Sequence, residues 1–215
     1  MADVTGPQWR VDRFGERAIL VRLADQAAVH ALATGLRGAL DAGRMVDVVP
    51  GDGTILVQFD GTDAGEAAAR AAIDAAAASP APRTAPRRHV IPVRYGGPAG
   101  PDLEEAAALA GHAPDALVAL HTGRHHPVLF LGFAPGFPYL GSLAPELVLP
   151  RLARPRTATP PGSVAIAEAY TGIYPAALPG GWRVIGHTDV RMFDPAADPP
   201  TTLQPGDLVR FEAVG

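Results

Sequence analysis

The stretch from Leu129 to Gly141, LFLGFAPGFPYLG, constrains the fold of this chain more than any other. Glycines and prolines interrupt it too often for one continuous helix or strand, and large apolar side chains fill the positions between them. The pattern predicts a buried strand over 129–133, followed by a structured loop that presents Phe137 and Tyr139. An apolar loop of this kind either plugs a core or forms a binding surface, and the stretch alone leaves both open.

The composition favours a globular protein with two small cores. The chain has 215 residues, of which 47% are hydrophobic and 19% charged. No apolar run approaches the roughly 18 residues of a membrane span, and the N-terminal MADVTGPQWR lacks the features of a secretory signal. We therefore expect a cytoplasmic protein without a membrane segment.

The charge and the missing residue types exclude several kinds of function. A formal net charge of −4 with both signs scattered offers no basic stripe for a nucleic acid. The chain has no Cys, and all 18 basic residues are Arg, so thiolate chemistry, Schiff bases and a phosphate-loop lysine are absent. Pro161 and Ala165 stand where a nucleophile elbow around Ser163 needs glycine. A complete hydrolase on this chain alone would be unexpected.

The first part of the chain reads as two hairpins, each followed by a helix. Alternating or apolar runs separated by turn signals predict strands over 9–13, 18–22, 45–49 and 54–59. Helical spacing predicts helices over 25–42, with Asp25 as the cap, and over 63–78. The proline- and arginine-rich segment 79–88 then indicates a boundary. We expect an α+β domain over 1–82 and a second domain over 83–215.

The second part reads as short helices and then many short strands. A strand is predicted over 89–95, and Asp102 with Glu105 forms a capping box for a helix through Ala110. Pro114 suits the start of another short helix ending near His121. The later apolar runs, separated by proline and glycine, favour a closed or sandwiched β structure; they cover 164–167, 183–186, 191–193 and 208–211.

Histidine and arginine clusters are the first candidates for chemistry. His121, His125 and His126 have spacing that invites a metal, but glycine and proline break a helix there and no carboxylate completes the set. We therefore predict no metal, a helix-end role for His121 and loop or surface roles for the other two. The arginines at 151, 154 and 156 lie between prolines, a rigid arrangement that suits a carboxylate or phosphate as well as a solvated surface.

Several turns later in the chain carry further candidates. PGSV and TGIYP place hydroxyl groups on tight corners, and PGGW brings an indole close to bare backbone. IGHTD contains His187, which as an isolated residue is more often a hydrogen-bonded core histidine than a catalyst.

Taken in order, these motifs resemble one known family. The matching stretches are GPDLEEAA, ALHTG, LGFAPGFPYLGSL, PGSVAIA, TGIYP, PGGW, IGHTD, MFDP and QPGDLVRF, with a looser match in FGERAILVRL and VVPGDGTILVQFD. The family includes the B subunit of prokaryotic 5-oxoprolinase, the allophanate hydrolase subunit 1 domain and the sporulation-kinase inhibitor KipI. The resemblance implies a ferredoxin-like N-terminal domain followed by a cyclophilin-like β-barrel domain.

The resemblance also implies an activity and partners. It makes the chain one component of a complex that uses ATP to open the lactam of 5-oxoproline, a small-molecule substrate, to glutamate. The implied partners are an allophanate-hydrolase-subunit-2-like protein, which is the C subunit of 5-oxoprolinase, and a further component, the A subunit. ATP is expected at the level of the complex, with no site assigned on this chain.

For this enzyme we hypothesise a cleft shared with the partner. Arg156 would hold a carboxylate and His187 would donate or accept a proton. The other residues of the cleft are Phe133, Phe137, Tyr139, Ser163, Thr171, Tyr174 and Trp182.

The chain departs from the family pattern SVGIAG-x-QTG at one corner. Ala165 and Glu168 replace glycines and Tyr170 replaces glutamine, which changes bulk, charge and hydrogen bonding. Two other functions stay open: a KipI-like inhibitor that grips a sensor histidine kinase, and a carboxyltransferase-type component of a urea carboxylase-like system.

Overall fold

The computed structural model describes residues 9–40, 43–79 and 85–215 and divides the chain into two compact units, Met1–Ala85 and Pro86–Gly215. The boundary predicted between residues 82 and 83 lies outside the described residues. None of the helices in the described ranges is long and apolar enough to span a bilayer.

The N-terminal unit is a four-stranded antiparallel sheet with two helices. Its elements are β1 (Trp9–Arg13), β2 (Ala18–Leu23), α1 (Gln26–Arg37), β3 (Met45–Pro50), β4 (Thr54–Phe59) and α2 (Asp63–Ala78). The sheet order is β1-β2-β4-β3, so α1 connects two strands that have β4 between them. This split β-α-β arrangement confirms the ferredoxin-like prediction, and β1 provides the edge strand beside β2.

Local signals in this unit predicted the elements well. Asp25 accepts a hydrogen bond from the Ala28 backbone N–H at 2.8 Å, as expected of a cap. The helix ends at Arg37, earlier than predicted, with Gly38 at its C-cap. Its apolar stripe packs on alternate residues of β2 and β4 in one core, which includes Ile19, Val57 and Ile73.

The C-terminal unit is built around a closed seven-stranded barrel of order β10-β7-β6-β13-β5-β12-β9. Its elements are β5 (Arg88–Tyr95), α3 (Leu103–Ala110), α4 (Pro114–Thr122), β6 (His126–Leu131), β7 (Pro138–Leu140), β8 (Arg156–Thr159), β9 (Ser163–Ala167), β10 (Tyr170–Ile173), β11 (Leu178–Gly180), β12 (Arg183–His187) and β13 (Leu208–Ala213). The predicted α+β class with a barrel is confirmed. β8 and β11 form a separate two-stranded ribbon.

Every barrel strand contributes to one apolar core, which therefore fills the barrel interior. The core includes Val128, Val164, Ile166, Ile185 and Phe211, together with side chains from α3 and α4. Successive side chains of a strand point to opposite faces, so Ala165 and Ala167 of β9 face outward. They belong to a second, smaller cluster on the outside of the barrel.

Three local predictions in this unit are wrong. The strand of the 129–141 stretch ends at Leu131, and Phe133 lies beyond it with φ of 67°. Residues 191–193 form no strand; Phe193 makes only an isolated bridge to Thr201. Asp102 precedes α3 without a side-chain capping bond, because its carboxylate is engaged elsewhere.

The barrel is closed by the C-terminal strand, which runs parallel to β5 and antiparallel to β6. The buried carboxylate of Asp207, just before β13, accepts two bonds from Arg87, at 3.1 and 2.7 Å. It also contacts His89 Nε2 at 3.0 Å and accepts from the Gln204 backbone N–H at 2.9 Å. This carboxylate fastens β13 to the start of β5.

Replacing Asp207 with Asn should lower the free energy of unfolding of this unit by about 1–2 kcal/mol, because the ionic bonds to Arg87 are lost. The two tryptophans, Trp9 and Trp182, lie in different units, so a Trp9→Phe background reports on the barrel alone during urea unfolding. Asp189→Asn, an exposed carboxylate, is the control and should change the midpoint little. Equal effects of the two variants would contradict this role.

Candidate functional site

Aromatic side chains cover the outside of the barrel over β9, β10 and β12. We call them the aromatic face; its members are Phe130, Phe137, Tyr139, Tyr170, Tyr174 and Trp182, and Phe133 lies at its edge. Phe137 is at its centre and contacts the rings of Tyr139, Tyr174 and Trp182 edge-on, with centroids 5.2, 5.2 and 5.3 Å apart. Such edge-to-face contacts stabilise the cluster beyond simple burial.

The loop after β6 places these rings because it folds back on itself. Gly136 has a positive φ of 80°, and a Cβ there would lie 2.7 Å from the Phe193 side chain. The Gly132 N–H donates to the Phe137 carbonyl at 3.1 Å. Gly136 thus permits the tight turn that buries Phe137.

One side of the aromatic face is accessible. Phe137, Tyr174 and Trp182 are buried, whereas Phe130, Tyr139 and Tyr170 are half-buried. Phe130 stacks on Tyr139 with centroids 4.3 Å apart, and Tyr139 meets Tyr170 edge-on at 5.5 Å. These three rings are therefore the part of the aromatic face that a small flat ligand could reach.

Charged side chains lie beside this accessible side. Arg151 Nε is 3.1 Å from Glu168 Oε1, and each side chain is 56% exposed. Burial raises the pKa of Tyr139, Arg151 opposes the increase and Glu168 adds to it. Both charges therefore act on the Tyr139 ring.

Ser163 and His187 lie at one end of the same outer surface. Ser163 and Ala165 share a face of β9, and His187 of β12 pairs with Ser163. His187 Nδ1 lies 3.2 Å from Arg94 Nη2, and its Nε2 lies 3.1 Å from the Pro161 carbonyl. Because a guanidinium can only donate, Nδ1 is the acceptor and Nε2–H the donor.

Arg156, predicted to bind a carboxylate, donates to a carboxylate of the chain itself. Arg156 donates to both oxygens of Asp102, at 2.8 and 2.6 Å, and this hydrogen bonding raises the pKa of Arg156. Asp102 is buried and also accepts from the Val184 N–H at 2.7 Å. The pair joins the start of α3 to β8 and β12.

Thr171 lies inside the barrel, on the opposite side of the wall from the aromatic face. Its hydroxyl donates to the Ala165 carbonyl at 3.1 Å and lies 2.8 Å from His121 Nε2. The hydroxyl has one proton, so His121 Nε2–H is the donor to it. His121 Nδ1 then accepts from the Tyr95 hydroxyl at 2.7 Å.

His121 lies in the last turn of α4, as predicted, but it faces the core, and His126 differs from the prediction altogether. His121 points into the barrel and stacks on Phe211 at 4.5 Å, and burial lowers its pKa well below the ordinary value. His126 is buried in β6, not in a loop, and burial lowers its pKa too. The rings are satisfied by protein groups, and no set of three possible metal ligands exists among the described residues.

The structure thus brings together most of the residues proposed for the cleft. Phe137, Tyr139, Tyr174 and Trp182 form one cluster, with Phe133 at its edge; Ser163 and His187 lie further along the same surface.

Phe130 and Arg94 were not predicted from the sequence, because neither belongs to a turn motif. Asp102 was read as a helix cap, since its partner is 54 residues away. The ligand-binding and catalytic roles stay predictions.

Residues 9–203 match the family model described as carboxyltransferase domain, subdomain C and D, so the chain belongs to that family.

Two curated relatives and one solved structure define the similarity further. The chain is 55% identical over 121 residues to a protein of Escherichia coli O157:H7 named as the B subunit of 5-oxoprolinase, a match covering 56% of each chain. It is 48% identical over 121 residues to the Bacillus subtilis (strain 168) protein of the same name, covering 56% of this chain and 50% of that one. The matches span about half the length of these relatives. The crystal structure of TTHA0988 covers 93% of this chain and 40% of its own, with 34% identity and a TM-score of 0.80.

Replacing Arg156 with Met should destabilise the barrel unit by about 2–4 kcal/mol, because it leaves the buried Asp102 carboxylate without its counter-charge. Asp102→Asn should cost less, about 1–2 kcal/mol, since Asn still accepts from Val184 and leaves the guanidinium partly in water. Urea unfolding followed at Trp182 measures both, with exposed Arg154→Met as the control. The reverse order of the two effects would contradict this role of the pair.

The free energy of unfolding should decrease as the pH falls below about 6.5, the pKa of histidine in the unfolded chain. The lowered pKa values of His121 and His126 mean that the unfolded chain then binds more protons than the folded one. Each histidine contributes a slope of up to about 1.4 kcal/mol per pH unit. His121→Gln should reduce this slope between pH 7.5 and 5.5. An unchanged slope in His121→Gln would refute the assignment.

Proposed function

We propose that this chain is the B subunit of a multi-subunit, ATP-dependent 5-oxoprolinase. The complex opens the cyclic amide of 5-oxo-L-proline with water to give L-glutamate, while ATP becomes ADP and phosphate. The observation that carries the proposal is the 55% identity over 121 residues to a protein of that name. We place the complex in the cytoplasm, where ATP is available.

The proposed assembly includes an allophanate-hydrolase-subunit-2-like protein, the C subunit of 5-oxoprolinase, and a further component, the A subunit. The accessible rings of Phe130, Tyr139 and Tyr170 support a role in binding a small flat substrate next to such a partner. Exposed Phe133, with 59% of its surface accessible, offers an apolar contact at the edge of the same face. In this proposal the chain binds and orients the lactam and is inactive alone.

The N-termini of the described α-helices do not favour a phosphate group. Helix N-termini attract phosphate when they are free of negative charge. Here all four described α-helices begin with carboxylates: Asp25 caps α1, and the first turns of α2, α3 and α4 contain Asp63 and Glu66, Glu104 and Glu105, and Asp115. We therefore assign ATP to the complex and no step of its chemistry to this chain.

In this proposal the ring proton of His187 is on Nε2 in the free chain. Its Nε2–H donates to the Pro161 carbonyl while Arg94 occupies Nδ1. Proton transfer by His187 thus requires substrate or partner to displace one of these contacts. Arg156 acts through Asp102 to position β8 and β12, on which the aromatic face depends.

The test is 5-oxoproline-dependent release of glutamate and phosphate by this chain alone, by its partner proteins alone and by the assembled complex. We expect turnover only in the complex that contains this chain. Tyr139→Ala should reduce kcat/KM about 10- to 100-fold, because one face of the binding surface is removed. Thr122→Ala, a change on α4 outside the aromatic face, is the matched control and should leave kcat/KM nearly unchanged.

Full activity of the partner proteins without this chain would refute the proposal. Absence of turnover in every combination, with a sensor histidine kinase recovered on the immobilised chain, would favour a KipI-like inhibitor. The exposed Phe133 is the feature that suits such a docking function.

A further inference from the structure

The ion pair between Arg151 and Glu168 occupies a distinctive position on the accessible side of the aromatic face. Arg151 lies beside the turn that leads into Trp182: the Leu152 N–H donates to the Gly181 carbonyl at 2.7 Å. Glu168 lies in the β9–β10 turn, next to Tyr170 on the aromatic face. The two charges therefore flank the half-buried rings.

The backbone at Glu168 is strained. Its φ is 52°, in the left-handed region that favours glycine, and its N–H donates to the Leu149 carbonyl at 2.6 Å. A non-glycine residue is destabilised in this conformation, because its Cβ approaches the backbone closely. The β9–β10 turn thus has a strained backbone conformation at Glu168, and the Glu168 carboxylate lies next to Arg151.

Arg156 and Arg94 of the same unit are more firmly engaged than Arg151. Arg156 is bound by the Asp102 carboxylate, whose side chain is 7% exposed, and Arg94 makes two bonds to Asp189 while contacting His187. The side chains of Arg151 and Glu168 are both exposed, and exposed ion pairs of this kind stabilise a protein little. A carboxylate from a ligand could therefore replace Glu168 at little cost.

We propose that Arg151 binds the carboxylate of the substrate on the aromatic face, and that Glu168 occupies this position in the free chain and is displaced on binding. This inference rests on the proposed function and adds the substrate-recognition residue. The ligand class is a small flat ring that carries a carboxylate: the ring lies on Tyr139 or Tyr170 and the carboxylate meets the guanidinium. The hypothesis that Arg156 holds this carboxylate is then replaced, since Arg156 is committed to Asp102.

If Arg151 binds the substrate carboxylate, substitutions of Arg151 and of Glu168 change the KM in opposite directions. In the assembled complex, Arg151→Ala should raise the KM for 5-oxoproline roughly 10- to 100-fold, with kcat changed less than about 3-fold. Glu168→Gln retains the size of the side chain but not its charge, so it should lower the KM roughly 2- to 5-fold by removing the competitor. A merely structural ion pair would instead change the KM in the same direction in both variants, because either substitution breaks it.

Arg210→Ala is the matched control. Arg210 is exposed on β13, which β5 and β12 separate from β9 and β6 and β7 separate from β10, and its loss should leave the KM unchanged. Urea unfolding at Trp182 verifies that each variant is folded. If the wild-type complex turns over 5-oxoproline and Arg151→Ala keeps its KM within about 2-fold, the inference is wrong and the proposed function stands. If the wild-type complex shows no turnover, the proposed function fails and the inference with it.

Discussion

The aromatic face depends on the hydrogen bonds that the buried carboxylate of Asp102 accepts. It receives the guanidinium of Arg156 and the backbone N–H of Val184, and the N–H of Asp102 itself donates to the Val184 carbonyl at 2.9 Å. One residue thus joins a helix start, a barrel strand and the β8–β11 ribbon. A buried carboxylate is costly unless it is fully paired, so the three segments hold one another in a single arrangement.

The barrel wall separates two kinds of environment with different tasks. On the inner side, hydrogen bonds run from the Tyr95 hydroxyl through His121 and Thr171 to the Ala165 carbonyl. Each hydroxyl and ring N–H proton in this chain is donated to a protein acceptor. Such a satisfied network stabilises and specifies the core but offers nothing to a ligand. On the outer side the same strands present rings and exposed charges. The alternation of side chains along β9 and β10 places these functions on opposite faces of one sheet.

The sequence predicted what is encoded locally and missed what depends on distant partners. The predicted helix over 63–78 coincides with α2, and the Asp25 cap is present, because apolar spacing and capping act within a few residues. Asp102 also looked like a cap, but a guanidinium 54 residues away outcompetes the backbone of α3. His126 looked like a loop residue because proline and glycine lie near it; the barrel closure that buries it cannot be read from one segment. The ion pair of Arg151 with Glu168 could not be predicted either, because it forms only where the folded β9–β10 turn brings Glu168 next to Arg151.

We propose that the chain acts through the aromatic face of its barrel within a larger complex. Hydrogen–deuterium exchange of the assembled complex, with and without 5-oxoproline and ATP, tests it most directly. We predict slower exchange at the amides of residues 132–137 and 168–171, with little change at the exposed outer residues of β5 and β13. Protection confined to β5, β13 or the N-terminal sheet, with none over the aromatic face, would contradict the claim.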